Sequence, residues 1–324
     1  MAEFVQQLVN GLSNGAIYAL IALGYTMVYG ILKLINFAHG DVVVLGAWFS
    51  FMIAGLLLRA TGAAASSPPW WIGPIVLVGA MALAGVAGFL IERLAYRPLR
   101  SAPRLNVLIT AIGVSLLLQN AGQLQFKLPG GIRFPFGAQP EGMPQLVHDA
   151  TIFSVRLWPS ANPMTLGSTD AAIMVTAGLL LVGLELLIYR TKLGLAMRAV
   201  SFNPTNAALM GIPVDRVISF TFVLGSSLAA AAGFLFAVKY HQIQQPAHQT
   251  WVLLGLKAFV AAVVGGIGNV RGAVLGGFLI ALMEQLGARY VSSSMTDVYV
   301  FVLLILVLLA RPSGLLGSSA REKV

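Results

Sequence analysis

The chain is built of long apolar runs, separated by short segments rich in glycine, proline and basic residues. Most runs are close to the roughly 20 residues with which an α-helix crosses about 30 Å of hydrocarbon. Runs such as VYVFVLLILVLLA do not alternate in polarity, as the strands of a membrane β-barrel do. We therefore predict an all-α fold, a polytopic transmembrane helical bundle of about eight or nine spans. The predicted spans are residues 9–31, 37–58, 71–92, 105–126, 170–189, 214–237, 251–267, 273–289 and 297–310.

The composition also favours a membrane protein. Of the 324 residues, 58% are hydrophobic and only 10% are charged, whereas a soluble domain of this length needs more charge to cover its surface. The net charge of +9 is better explained by Lys and Arg on cytoplasmic loops than by a nucleic-acid partner, so membrane lipid is the expected contact. The chain has no cysteine, which excludes disulfides and thiolate metal sites.

Basic residues predict the orientation of the bundle. They concentrate after the third span, in the central loop at residues 190–213 and in the tail after residue 310. The positive-inside rule assigns this end, with the carboxyl terminus, to the cytoplasm, and an odd number of spans then puts the amino terminus outside. We treat residues 1–324 as a single transmembrane domain with an extracytoplasmic loop at 127–169.

The extracytoplasmic loop is interrupted by prolines and glycines that break any long helix, and it also carries aromatic residues. Such a segment is too apolar for a tether. It is interpreted either as a compact cap over the outer mouth or as a loop that packs on its own helices.

The central loop, TKLGLAMRAVSFNPTNAALMGIPVDRV, contains the signals of a short helix of its own. Asn203 is a good N-cap, Pro204 suits the first helical position, and Gly211 fits just past the end. The helix would have about seven residues and a small, partly apolar face that includes Ala207 and Ala208. Such a helix fits a groove on a partner protein, although a purely interfacial structure is the alternative.

Small residues recur at helical spacing in two places. Gly268, Gly272 and Gly276 form one stripe, and the sixth span has another at residues 225, 229 and 233. Small stripes allow helices to approach closely in lipid, which is consistent with a pathway wall, a subunit interface or ordinary intramolecular packing. The glycines of GGIGNVRG, which include Gly265 and Gly266, are alternatively an unwound break between half-helices.

Polar groups gather in LINFAHGD, at the start of the second span. Asn36, His39, Gly40 and Asp41 either line a solute path or serve local structure, with Asp41 capping a helix that begins at Val42.

Two ionisable residues, Lys257 and Glu284, lie deep in predicted spans and are candidates for pairing. The spacing of the histidines fits no catalytic metal site, so no metal is expected.

No glycine-rich phosphate-binding motif is present, so any ATP must be bound by another chain and we expect no cofactor here. The sequence also offers no nucleophile, base and orienting group at readable spacing, and we therefore expect a transport subunit rather than an enzyme.

Three segments resemble the permease subunits of bacterial ABC importers for branched-chain amino acids, the LivH type. They are NGAIYALIALGYTMVYGILKLINFAHGD, TKLGLAMRAVSFNPTNAALMGI and GLKAFVAAVVGGIGNVRGAVLGG. The resemblance implies a second permease chain, related or identical, two cytoplasmic ATP-binding subunits, a periplasmic solute-binding protein and a bacterial inner-membrane location. It implies that 190–213 is a coupling loop, whose contact residues are Arg198, Asn203, Pro204, Ala207, Ala208 and Gly211.

Other functions stay open on the sequence alone. Permeases for urea and short amides share the NxAHG pattern, so the solute is not fixed. A secondary carrier driven by an ion gradient is the rival from another class, and it usually needs carboxylates within its spans. An integral membrane enzyme ranks last.

Overall fold

The computed structural model describes residues 2–100, 102–128, 132–135, 139–155, 163–244 and 247–317. Helices dominate these ranges, and each predicted span overlaps one of them, so the predicted helical membrane bundle is confirmed. Among the described residues, seven helices are long and apolar enough to cross a membrane, and α4 and α9 are shorter apolar helices. The helices are α1 Ala2–Leu32, α2 His39–Thr61, α3 Ile72–Ile91, α4 Arg104–Ala121, α5 Ser168–Arg190, α6 Lys192–Phe202, α7 Pro204–Leu209, α8 Val214–Tyr240, α9 Gln249–Gly265, α10 Val270–Tyr290 and α11 Thr296–Ala310.

Contacts between chain segments sort the helix ends into two groups. At one end, Arg289 near the end of α10 donates to Glu3 at the start of α1, at 2.7 Å. At the other end, which we call the α7 end, Ser201 donates to the carbonyl of Gly30 at 2.6 Å. The carboxyl-terminal segment also lies at the α7 end, because Leu315 N–H donates to the carbonyl of Val264 at 2.9 Å. The first and last described residues therefore lie at opposite ends of the bundle, as an odd number of crossings requires.

Helices α1 and α8 form the centre of the bundle, and small residues make their close packing possible. A Cβ at Gly233 of α8 would meet the carbonyl of Val43 in α2, and one at Gly46 would meet the backbone of Ala230. Ala229 is fully buried. The predicted stripe at 225, 229 and 233 thus serves packing within the chain. By contrast, α5 and α11 keep exposed apolar side chains that suit a lipid environment.

The glycines between α9 and α10 form a tight turn between two antiparallel helices, so the prediction of half-helices separated by an unwound break is wrong. Gly266 and Gly268 have φ of 108° and 95°, values that favour glycine. Asn269 then caps α10 by accepting from the N–H groups of Arg271 and Gly272 at 3.0 and 3.2 Å. Gly268 belongs to this turn and not to the helical stripe, whereas Gly272 faces the backbone of α9.

The long loop after α4 contains short strands that pair in antiparallel fashion. The strands are β1 Gln125–Leu128, β2 Ile132–Pro135, β3 Glu141–Gly142, β4 Thr151–Val155, β5 Met164–Gly167 and β6 Gln242–Ile243. The pairs are β1 with β2, β4 with β5, and β3 with β6, which follows α8.

The described part of this loop packs on the protein's own helices. Met143 N–H donates to the carbonyl of His241 at 3.2 Å, and Leu146 is buried beside Gly73. Helix α4 ends at Ala121, so the span predicted at 105–126 was too long. The residues of this loop that lie outside the described part include Pro129, Gly130, Gly131, Phe136, Trp158 and Pro159.

Candidate functional site

The loop between α5 and α8 folds into two consecutive helices. Thr191 caps α6 by accepting from the N–H of Gly194 at 3.0 Å. Asn203 caps α7 in the same way, since its side-chain oxygen accepts from the N–H of Asn206 at 3.0 Å. Pro204 occupies the first turn, and Gly211 has φ of 80° just past the end. The predicted short helix is therefore present, with six residues.

The exposed residues of this unit are unusually apolar for a segment outside the bundle. Phe202, Leu209 and Met210 are 91%, 81% and 83% exposed, and Pro204 and Ala208 are exposed beside them. We call these five residues the α7 face. Exposed apolar groups close together in the chain often mark a contact surface for another protein or for the membrane.

Of the six predicted coupling residues, Pro204 and Ala208 belong to the α7 face, Asn203 and Gly211 start and end its helix, and Ala207 and Arg198 lie elsewhere. Ala207 is only 4% exposed and packs against the chain itself, so it supports the helix from inside. Arg198 is exposed on α6, and its guanidinium lies 5.4 Å from the ring centre of Tyr189. Arg271 lies over the same ring at 5.5 Å. Arg198 therefore faces the ends of α5 and α10.

Ion pairs tie the start of α8 to the end of α3. Asp215 accepts from Arg97 and Arg100, each at 2.5 Å. Arg100 also pairs with Glu92, whose fully buried carboxylate accepts from Ser219 at 2.5 Å. Glu92 opens a single π-helical turn after α3, a feature often found at functional sites.

A cavity of about 680 Å³ opens beside this ion-pair network and reaches α7. Its lining includes Arg93, Arg97, Ala208, Asp215 and Phe220. The base of α7 is thus joined to α3 and α8 around one concave surface.

A second polar region lies where α2 begins. The ring of His39 packs against Gly24, and its Nε2 lies 3.2 Å from the carbonyl oxygen of Ile21. Gly24 lies about 12 Å before the end of α1, measured along the helix axis. The chain therefore turns back into the bundle after α1, so that α2 starts beside the middle of α1.

The side chains of the turn before α2 are held by polar contacts. Asn36 Oδ1 accepts from the hydroxyl of Tyr96 at 2.6 Å and from the N–H of Ala38 at 3.1 Å. The ring of His39 also meets Tyr25 edge-on, with centroids 4.5 Å apart. These contacts fix the backbone entering α2.

Asp41 does not cap a helix beginning at Val42, so that prediction is wrong. Helix α2 begins at His39, its N-cap is Ala38, and no side chain caps it. Asp41 lies in the first turn, where its Oδ1 accepts from Gln119 Nε2 of α4 at 2.9 Å. Because that turn packs against α4, the carboxylate of Asp41 contacts a side chain of another helix and does not cap its own helix.

Asp41 and Gly40 line a cavity of about 250 Å³ together with Tyr25, Ser115, Gln119 and Phe259. Helix α9 passes close to Gly40, since a Cβ at Gly40 would lie 3.2 Å from the Cα of Gly255. The other predicted pathway glycines do not line this cavity. Gly265 and Gly266 instead contact the carboxyl-terminal segment, where Leu316 N–H donates to the carbonyl of Gly265 at 3.0 Å.

Comparison with known proteins decides what these features belong to. A family described as the permease component of the branched-chain amino acid transport system matches residues 7–310. The chain belongs to this permease family. The matched range includes every helix of the described residues except the first few residues of α1.

Individual relatives of the permease match almost end to end. The high-affinity branched-chain amino acid transport system permease protein LivH of Escherichia coli (strain K12) is 40% identical over 324 residues, covering 99% of this chain and 98% of the relative. The corresponding BraD protein of Pseudomonas aeruginosa is 41% identical over 326 residues, with 99% and 98% coverage. A probable LivH of Methanocaldococcus jannaschii is 29% identical over 309 residues, with 92% and 88% coverage.

Sequence reasoning missed several polar side chains of the permease interior. Gln119, Tyr96 and Tyr25 contact or line the region around Asn36 and Asp41. Gln119 offered a signal, because a carboxamide within an apolar span is costly unless it finds a partner. The two tyrosines are amphipathic, and nothing in their local pattern separates an inward position from one at the membrane surface.

Proposed function

We propose that this permease is the membrane-spanning subunit of an ATP-driven importer for branched-chain amino acids, located in a bacterial inner membrane. It works with a second permease chain, two cytoplasmic ATP-binding subunits and a periplasmic solute-binding protein. It has no catalytic activity of its own, and its α7 end, with the carboxyl terminus, faces the cytoplasm. Its relatives are named as permeases of high-affinity branched-chain amino acid transport.

The observation that carries the coupling role is the α7 face. A capped helix of six residues and the residue after it expose apolar side chains, of which Leu209 and Met210 are more than four-fifths exposed. A short helix of this type is suited to a groove on a soluble partner. The ATP-binding subunits are that partner in this proposal.

The ion pairs beneath α7 transmit a displacement of this helix to the rest of the bundle. Asp215 joins the first turn of α8 to Arg97 and Arg100, so a displacement of α7 moves the ends of α3 and α8 together. Because α8 packs closely against α1 and α2, such a displacement acts as a rigid-body change of the bundle. The entry to α2 lies in the moving region.

The solute path follows the polar entry to α2. The cavity lined by Gly40, Asp41 and Gln119 lies where α2 begins inside the bundle. Polar groups at such depth usually face a cavity or each other. In this proposal they line half of a path whose other half is contributed by the second permease.

Substitution of the α7 face tests the coupling role. Met210→Asp puts a charge into the proposed contact, and we expect ATP-dependent leucine uptake and co-purification of the ATP-binding subunits to fall at least roughly tenfold, equivalent to about 1.4 kcal/mol. Val291→Asp is the matched control, because Val291 is 75% exposed in the turn after α10, at the opposite end. The control is expected to retain both activities, with equal amounts of each protein in the membrane.

The same assay separates the alternatives. Wild-type uptake that follows an ion gradient without ATP would support a secondary carrier, and uptake of urea or short amides in place of leucine would change the solute. Normal uptake and normal co-purification in the Met210→Asp variant would contradict the docking role of α7.

A further inference from the structure

A charged cluster lies at the junction of four helices, away from the α7 face and from the entry to α2. Lys257 of α9 donates to Glu284 of α10 at 2.6 Å and pairs with Asp297 of α11 at 2.7 Å. The hydroxyl of Tyr18 in α1 donates to the second oxygen of Glu284 at 2.7 Å. The pairing of Lys257 with Glu284 that the sequence suggested is therefore present.

This cluster is expensive for a membrane protein. The side chains of Lys257 and Glu284 are only 10% and 12% exposed. A buried ion pair rarely stabilises a fold more than well-packed apolar residues of the same size, and ionisable groups within membrane spans usually face an ion or solute pathway. Packing alone therefore does not account for it.

The cluster borders a cavity of about 290 Å³, close to the roughly 300 Å³ lower limit of small-molecule sites. Its apolar lining comes from Phe236, Trp251 and Leu254, and the rings of Phe236 and Trp251 lie 4.9 Å apart. Lys257 and Glu284 supply both signs of charge to the same space. A small molecule with an apolar side chain and two opposite charges matches this lining.

The partners of each charge allow a ligand to enter. When Lys257 and Glu284 separate, Lys257 keeps Asp297 and Glu284 keeps the hydroxyl of Tyr18. Lys257 therefore keeps a counter-ion, and Glu284 keeps a hydrogen-bond donor until the ammonium group of the ligand supplies the opposite charge. This limits the main cost of breaking such a pair, which is leaving a buried charge unpaired. A carboxylate can then bind Lys257 while an ammonium group binds Glu284.

We propose that this cavity is a binding position for a zwitterionic amino acid with an apolar side chain. The carboxylate of the amino acid pairs with Lys257, its ammonium group pairs with Glu284, and its side chain contacts Phe236 and Trp251. The assignment rests on the proposed function as an amino-acid importer, and it names side chains that bind the solute outside the polar entry to α2.

A single introduced thiol tests occupancy, because the chain contains no cysteine. Thr250 lines the cavity and is exposed, so Thr250→Cys gives one reactive thiol in this chain, whose labelling is followed after the subunits of the purified complex are separated on a denaturing gel. We expect L-leucine, titrated until the effect saturates, to slow maleimide labelling roughly tenfold at about ten times its dissociation constant. Val291→Cys is exposed but does not line the cavity, and its labelling is expected not to change.

Two ligand analogues test the charge requirement. Isoamylamine has the apolar chain and the cation but no carboxylate, and 4-methylpentanoate has the anion but no ammonium group. Neither is expected to protect Thr250→Cys at the leucine concentration that gives full protection. Equal protection by either analogue would show an apolar site without zwitterion recognition and would overturn the proposal.

Second substitutions separate binding from folding. Lys257→Met and the nearly isosteric Glu284→Gln are each expected to abolish leucine protection of Thr250→Cys. The matched control is Lys239→Met, which removes another lysine with an ion-pair partner, held at 3.0 Å from Asp170 and not part of this cavity. Leucine protection is expected to survive in the control, with thermal unfolding measured for every variant.

The outcomes distinguish this proposal from the function on which it rests. ATP-dependent leucine uptake by the wild-type complex, together with no leucine protection of Thr250→Cys, overturns the cavity assignment alone. Protection that persists in a folded Glu284→Gln or Lys257→Met variant does the same. Absence of ATP-dependent uptake by the wild type overturns the transport function itself.

Discussion

The cap of α7 allows a sharp test of how the coupling loop works. In Asn203→Ala, the N–H of Asn206 loses the side-chain oxygen that accepts it at 3.0 Å. Loss of an N-cap asparagine typically costs about 1 kcal/mol, within roughly 0.5–2 kcal/mol. Because α7 has only six residues, we expect this loss to raise the unfolded fraction of the helix about fivefold.

Two measurements follow the consequence of this change. Hydrogen exchange of the α7 amides in the purified complex reports the fraying, and leucine uptake per ATP hydrolysed in proteoliposomes reports coupling. Asn203→Asp is the control, since aspartate caps a helix as well as asparagine does. We expect faster exchange and weaker coupling only in the alanine variant.

The possible failures have different meanings. Identical exchange rates in Asn203→Ala and Asn203→Asp would refute the structural reasoning about the cap. Faster exchange with unchanged uptake per ATP would confirm that Asn203 stabilises the helix as its cap but would refute the coupling role of α7.

Further predictions concern the packing and charges of the bundle. Gly233→Val drives a side chain into the backbone of α2, a strain of about 1–3 kcal/mol or more, and we expect loss of folded protein in detergent by size-exclusion chromatography. Gly183→Val, where the space around the Cβ is open, is expected to retain it. Arg100→Met leaves the fully buried carboxylate of Glu92 without its cation, and we expect lower thermal stability, by about 3 kcal/mol. Arg289→Met removes a largely exposed pair, and an equal loss of stability there would contradict the argument from burial.

Much of the architecture follows from local sequence. Each apolar run marks the extent of one membrane-spanning helix. A helix forms there because backbone N–H and C=O groups in lipid must find their hydrogen-bond partners within the helix itself. The beginning of α7 is equally local: Asn203 and Pro204 supply the cap and the fixed φ that start a helix, and Gly211 ends the turn with positive φ. These signals act over a few residues, so they can be read without knowing what lies nearby.

The tertiary structure alone decided which polar groups meet. Asp41 contacts Gln119, and Lys257 contacts both Glu284 and Asp297, across distances in sequence that no local pattern connects. In a bundle that lies in lipid, apolar residues cover every face of many helices, so periodicity fixes neither the rotation nor the depth of a helix. The rotation of α7 about its axis buries Ala207, and the depth at which α2 packs places its first turn inside the bundle. Both depend on how the helices pack against each other, which no local pattern shows.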